Sequence, residues 1–204
     1  MADQAGSPRL TPKFGPRFVQ ALVYAAEKHA GQKRKASEVP YIGHLLSVAG
    51  LVIEANGTET QAIAALLHDA AEDQGGRPTL AEIGQKFGVD VASIVEECSD
   101  TLETPKPPWR ERKERYLGHL PEASDDAILV SLADKLDNAR AILRDFRAHG
   151  HEVWLRFNER DPQQQLWYYR SLLEVFSQRT DSWMVGELRG AVGALEQAIS
   201  RESA

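Results

Sequence analysis

The chain has 204 residues, 42% of them hydrophobic and 26% charged, which suits one globular domain with a substantial buried core and leaves little room for a second. Its 24 Lys and Arg stand against 30 Asp and Glu, a formal charge of -6, the opposite of what extensive contact with a nucleic-acid backbone requires. Cys98 is the single cysteine, which excludes an intrachain disulfide and a thiolate metal cluster within the chain and suits a reducing cytoplasm.

Residues 1–15 are polar, contain Pro8 and Pro12, and lack the apolar core of a signal peptide. They are expected to be a flexible leader to a domain over 16–204, and no later stretch approaches a membrane span. From Pro16, the recurrence of Phe18, Leu22, Ala25, Ala26 and His29 predicts a first helix that Gly31 interrupts. A polar, basic loop over 31–40 carries Lys33-Arg34-Lys35 and leads to a second helix over about 41–56, with His44 in its first turn.

Thr58 is placed to cap a third helix that runs through Ile63, Leu66 and Leu67 and on to His68, Asp69, Glu72 and Asp73, where Gly75-Gly76 ends it. Thr79 and Glu82 have capping-box spacing for a short helix to Phe87, and another helix is expected over 89–99. Pro105, Pro107 and Pro108 mark a rigid loop. A charged helix over 109–120 follows, and its Arg110, Arg112, Lys113 and Arg115 read as a solvated face. A long helix over 124–148 places Asp134 and Asn138 on one face, and three further helical segments fill 150–201. Trp154, Phe157, Trp167 and Phe176 are assigned to packing, and His119, His149 and His151 to the surface. No strand hairpin or internal repeat is found, so the fold class expected is all-α.

The segment Ala64-Ala65-Leu66-Leu67-His68-Asp69-Ala70-Ala71-Glu72-Asp73 is apolar up to the point where four ionisable groups appear. Helical geometry sets those four within an arc of about 140°. Burying them without compensation would cost several kcal/mol each, roughly. A divalent cation supplies the compensation, since imidazole and carboxylate are ordinary ligands for zinc, manganese and iron. His44 opens the preceding helix, and Asp134 interrupts the apolar run Leu132-Ala133-Asp134-Lys135-Leu136, so further ligands are at hand.

His44, His68-Asp69 and Asp134, in that order, resemble the spaced pattern of the HD superfamily of metal-dependent phosphohydrolases. Flanking words narrow the resemblance to the hydrolase domain of the RelA/SpoT type and the small alarmone hydrolases. They are His29-Ala30-Gly31-Gln32-Lys33-Arg34-Lys35, Pro40-Tyr41-Ile42-Gly43-His44, the segment around His68, and Leu132 through Arg140, together covering about 18–145. The resemblance implies a single-domain HD-type helical bundle whose segment 150–201 is a helical extension. It implies one divalent metal ion, manganese, held by His44, His68, Asp69 and Asp134. Glu72 and Asp73 match the acids that orient water and shuttle protons, Arg34 and Lys35 match a basic pair beside the nucleotide, and Asn138 and Tyr168 fall at nucleotide-contacting positions.

The activity implied is removal of pyrophosphate from the 3′ position of ppGpp or a related purine nucleotide such as ppApp, by a cytoplasmic protein with a small-molecule partner and without nucleic acid or membrane. The chain departs from the pattern at Gly43, Leu45 and Ala141 and in the region after Arg144, which keeps adenine-based alarmones open as substrates. No synthetase domain is expected, and aromatics in the last third suit a homo-oligomer. Two rivals stand beside this expectation: a general HD-family nucleotidase or phosphodiesterase, and a sensor that binds nucleotide without cleaving it.

Overall fold

In the computed structural model, which describes residues 13–35 and 37–202, helix starts follow local capping chemistry. Residues 1–12 of the expected leader lie outside the described residues. Pro16 opens α1 (Pro16–Lys28), and α2 spans Ile42–Glu54. Thr58 and Gln61 form a full capping box on α3 (Glu59–Leu67), each side chain accepting from the other's backbone N–H. After α4 (Ala70–Asp73) come α5 (Arg77–Phe87), α6 (Val89–Cys98) and α7 (Trp109–His119). The Ser124 hydroxyl caps α8 (Asp125–His149), and Asp161 caps α9 (Pro162–Arg179), ahead of α10 (Trp183–Glu202). Short 3-10 turns cover Leu120–Glu122 and Gly150–Arg156. Among the described residues the chain is all-α, apart from an isolated bridge between Lys33 and Pro40 that pinches the basic loop.

Two local expectations are corrected. The helix read as continuous from 58 to 73 breaks at His68 and Asp69, giving α3 and α4. His68 Nδ1 lies 2.8 Å from the Ala65 carbonyl, the acceptor that the Asp69 N–H would take in an unbroken helix. The capping box of Thr79 and Glu82 is absent. α5 starts two residues earlier at Arg77, because the Thr79 hydroxyl donates back to Gln74 O at 2.7 Å and Glu82 instead pairs with Tyr24 and Lys28 of α1. Gly75 and Gly76, with φ of 129° and 64°, make the reversal between α4 and α5 that an L side chain would resist.

The long helix α8 runs through the middle of the molecule and packs against α2, α3, α6, α9 and α10. Its buried face is apolar except for Ser131 and Asp134. The extension after Gly150 folds back on α8: Val153 and Trp154 are buried, and the Trp154 ring lies 5.8 Å from that of Phe146. Trp154 and Phe176 are core residues, while Phe157 and Trp167 are partly buried against it, in line with their assignment to packing. No helix among the described residues is long and apolar enough to cross a membrane.

Phe146→Ala is expected to lower unfolding free energy by about 3–5 kcal/mol, because it empties a site that the surrounding helices cannot refill. Leu155→Ala, at a side chain left in solvent, is expected to change it by less than about 0.5 kcal/mol. Urea denaturation of both variants checks the pair.

Candidate metal centre

Three elements deliver the metal-binding candidates to one place. The first turn of α2 supplies His44, the break between α3 and α4 supplies His68 and Asp69, and the buried face of α8 supplies Asp134. His44, His68 and Asp134 are 3%, 2% and 6% exposed, and they offer ligand atoms that all lie within 4.8 Å of one another. Asp134 Oδ1 is 3.2 Å from His44 Nε2 and 3.6 Å from His68 Nε2. Asp69 Oδ2 joins the group from its open side, 2.9 Å from His68 Nε2 and 3.5 Å from His44 Nε2. An ion about 2.1 Å from each ligand holds neighbouring ligand atoms roughly 3.0–3.4 Å apart, so this spacing fits one cation.

The tautomers agree with that fit. His68 Nδ1 faces a backbone carbonyl, which only accepts, so Nδ1 carries the proton. His44 Nδ1 is likewise held 2.7 Å from Asp137 Oδ2. Both Nε2 atoms therefore turn toward Asp69 and Asp134, and both are buried without a hydrogen-bond partner because the nearby carboxylate oxygens stand out of line. Burial alone would lower the pKa of His44, but Asp134, Asp137 and Asp69 outweigh it and push it up to about 9. His68 is raised for the same reason, burial being overcome by Asp69 and Asp134. Burial opposes ionisation of Asp69 and Asp134 too, yet the imidazoles, and Lys135 for Asp134, hold both carboxyls well below the usual range.

A second ring of side chains orients these groups. The Tyr41 hydroxyl donates to Asp69 Oδ2 at 2.6 Å, and its ring stacks on the buried His29, whose Nδ1 lies 2.7 Å from Gln32 Oε1. Lys135 Nζ donates to Asp134 Oδ2 at 2.6 Å, and Asn138 Nδ2 donates to Asp134 Oδ1. Arg34 reaches across from the basic loop and donates to Asn138 Oδ1 at 2.9 Å and Asp137 Oδ2 at 3.1 Å. Arg34 and Asn138 thus meet beside the centre as a linked pair. Lys35 stays exposed as a residue, with its ammonium 6.0 Å from the Phe157 ring, and burial of that ammonium lowers its pKa.

Glu72 and Asp73 sit together one turn past Asp69. Glu72 Oε2 accepts from the Asp100 N–H at 2.9 Å, and Lys106 Nζ lies 2.9 Å from Glu72 Oε1 and 3.2 Å from Asp73 Oδ1. Burial would lower the Lys106 pKa, but the two acids raise it. Gln32 donates to Asp73 Oδ2 at 2.8 Å.

The face of α7 read as solvated is divided. Arg110 and Arg115 are exposed, whereas Arg112 is buried and ion-paired with Asp100, which Lys113 also meets at 3.1 Å. Burial, then Lys135 and Arg112, depress the Lys113 pKa to about 7. Tyr168 is buried in the core and does not line the cavity beside the centre: the Lys113 ammonium lies 4.8 Å from its ring, and its hydroxyl has no hydrogen-bond partner. Of the residues around the centre, Tyr41, Asp137, Lys106 and Lys135 have no role in the sequence reading. Asp137 carried a signal, since it lies three residues from Asp134 on the same face of α8.

A cavity of about 800 Å³ opens beside His44 and Asp137, bounded by the basic loop, the start of α2 and the outer face of α8. Among known proteins, a family profile described as HD domain matches residues 21–164. The guanosine-3′,5′-bis(diphosphate) 3′-pyrophosphohydrolase of Xenopus tropicalis is 45% identical over 130 residues, covering 62% of this chain and 70% of that protein. The enzyme of the same name from Drosophila melanogaster is 36% identical over 154 residues, covering 74% and 80%. A solved structure described as a metazoan ortholog of SpoT that hydrolyzes ppGpp superposes with a TM-score of 0.73 at 28% identity, covering 91% of this chain and 97% of that one. The chain thus belongs to the HD-domain family, alongside these 3′-pyrophosphohydrolases.

Proposed function

We propose that this chain is a metal-dependent phosphohydrolase that releases pyrophosphate from the 3′ position of guanosine-3′,5′-bis(diphosphate), the reaction named for its relatives. The observation that carries the reading is the pair of buried, unpartnered Nε2 atoms of His44 and His68 turned on Asp69 and Asp134. Those four side chains are the proposed ligands of one divalent ion, with manganese as its proposed identity. A divalent ion held there would supply Lewis acidity, lowering the pKa of a water and polarising a phosphoryl oxygen.

The chain's own groups divide the remaining work. Glu72 and Asp73 orient the attacking water and take its proton, and Lys106 is shared between them. Oxygen from water bonds to the 3′ phosphorus, the phosphorus–O3′ bond breaks, and the proton passes to the departing oxygen. Lys35, Lys106 and Lys113 offset the negative charge of the diphosphate. Arg34 presents a guanidinium to the cavity for stacking on the purine, and Asn138 holds it beside Asp134. Tyr168 acts through Lys113, whose ammonium rests against its ring. Ala141 lines the cavity with a methyl group and offers no hydroxyl to a base, which favours ppApp as a second substrate.

Incubation with manganese and ppGpp, ppApp or a purine 5′-triphosphate, resolved by anion exchange, tests the reading. Pyrophosphate is expected from the 3′-diphosphates alone. Cleavage of the triphosphate alone points to a general nucleotidase, and binding without turnover to a sensor.

Asp69→Ala is expected to abolish metal binding and turnover together. Glu72→Ala should retain the metal and lose about 10²–10⁴ in kcat. Equal metal loss in both, measured by equilibrium dialysis, would make Glu72 a ligand instead.

Proton and metal compete for the same imidazoles. His44 has a metal-free pKa of about 9 against an unperturbed 6.5, so its contribution to stability is fully present below pH 6.5 and disappears as pH rises through 9. The chelated protein is therefore expected to lose stability between pH 6.5 and 9, while apparent metal affinity rises over that interval as protons leave. Denaturation with EDTA and with manganese at both limits measures the two trends, and parallel curves would contradict the assignment.

A further inference from the structure

The cavity beside the metal centre has a second end that the proposed chemistry does not use. Its near end is walled by His44, Asp137 and Arg34, and its far end by Arg140, Arg144 and Arg156. Asp137 and Arg144 are seven residues apart on α8, so these two ends stand about 10 Å apart along the helix axis.

Charge at the far end is unbalanced. Arg144 Nη2 and Arg156 Nη1 both turn to Asp145, at 3.0 and 3.5 Å, so one carboxylate serves two guanidiniums. Arg140 meets Glu187 of α10 in an exposed pair that contributes little and is readily exchanged for another anion. Arg144 and Asp145 are also adjacent in sequence, a spacing that gives a helix no support. The contacts therefore do not account for the cluster as a structural brace.

Arg156 is delivered with some precision. It ends the 3-10 turn whose Val153 and Trp154 are buried against α8, and its side chain is only 21% exposed. The helical extension thus sets a guanidinium into the wall of the cavity that holds the metal end. A guanidinium fork is matched to phosphate, and it keeps its charge in a partly enclosed site.

We infer that Arg144 and Arg156, spaced by Asp145 and flanked by Arg140, form a seat for the 5′-phosphate groups of the nucleotide whose 3′-diphosphate lies at the metal centre. The inference rests on the proposed 3′-hydrolysis for the substrate's orientation. A nucleoside phosphorylated at both 3′ and 5′ positions carries anionic groups on two sides of its sugar, and the cavity reaches from Arg34 and His44 beside the metal centre to Arg140, Arg144 and Arg156. The arginines make 5′ phosphorylation a determinant of affinity without taking part in bond cleavage.

The test compares ppGpp with guanosine 3′-diphosphate bearing a free 5′-hydroxyl, in wild type, Arg156→Gln and Arg144→Gln/Arg156→Gln. For ppGpp, KM is expected to rise about tenfold in the single variant and further in the double, with kcat unchanged. For the 5′-hydroxyl substrate, KM should stay at the wild-type value. Equal shifts on both substrates, or none on either, would overturn the seat. If wild type hydrolyses neither substrate, the 3′ reading fails and calorimetry with GDP and guanosine judges the seat alone. GDP binding about tenfold tighter than guanosine in wild type, and equal to it in the double variant, supports the seat; equal affinities in wild type overturn it.

Discussion

Two carboxylates and two imidazoles pressed together in a buried place form an arrangement that proteins do not keep without compensation. Asp69 and Asp134 repel one another, and the imidazole Nε2 atoms turned toward them add lone pairs, not donors, as long as the rings are neutral. Either the rings take up protons, as their raised pKa values express, or a cation occupies the point that all four address. The surrounding structure is built to hold the groups in that opposition. Asp137 and the Ala65 carbonyl turn the two rings, Tyr41 fixes Asp69, and Asn138 with Lys135 fixes Asp134. Each of these contacts would be wasted on a site meant only to be stable, because an apolar replacement of the same volume would stabilise the fold as well or better.

The long central helix α8 turns this local chemistry into a substrate site. Asp134, the pair Asp137-Asn138, Ala141 and the pair Arg144-Asp145 recur at three- and four-residue spacing, while Leu132, Leu136, Leu143 and Phe146 fill the core between neighbouring helices. The same rigid rod therefore sets a proposed metal ligand, the acid that orients a proposed histidine ligand, and the far wall of the cavity at fixed intervals. Burial of its other face against five helices keeps these intervals from changing. The extension after Gly150 adds what one helix face cannot supply, a wall opposite it, by anchoring Trp154 in the core and leaving Arg156 at the edge.

The sequence was informative where periodicity and chemistry coincide. Helix positions and the cap at Thr58 could be read from apolar spacing and capping chemistry, and a metal-site hypothesis from the ionisable residues that interrupt that spacing, while the set His44, His68, Asp69 and Asp134 came from the family resemblance. The break between α3 and α4 could not, because Ala, Leu and Glu favour helix throughout and the interruption comes from the His68 ring competing for a backbone carbonyl. Lys106 lies in a proline-rich loop with no period to place it. Arg112 and Lys113 looked like a solvated face because charge runs usually are, and only the tertiary position of Asp100 draws them inward. Residues whose role is set by partners distant in sequence and of ordinary type leave no trace in a single chain's pattern.

The cationic groups around the cleft differ in kind according to where they stand. Beside Glu72, Asp73 and Asp134 they are lysines, and their pKa values run from about 7 at Lys113, where burial and the neighbouring Lys135 and Arg112 prevail, to well above the ordinary value at Lys135, where Asp134 outweighs burial. An ammonium in that setting is tied to its neighbours, and its charge changes when a proton or a phosphate changes theirs. Along the cavity, at Arg34, Arg140, Arg144 and Arg156, the cations are guanidiniums, paired with Asp137, Glu187 and Asp145. The proposed division of work, proton transfer at one end and anion binding at the other, suits that difference. It follows from the side chains themselves: burial makes a lysine's charge conditional on its neighbours, and an arginine's is not.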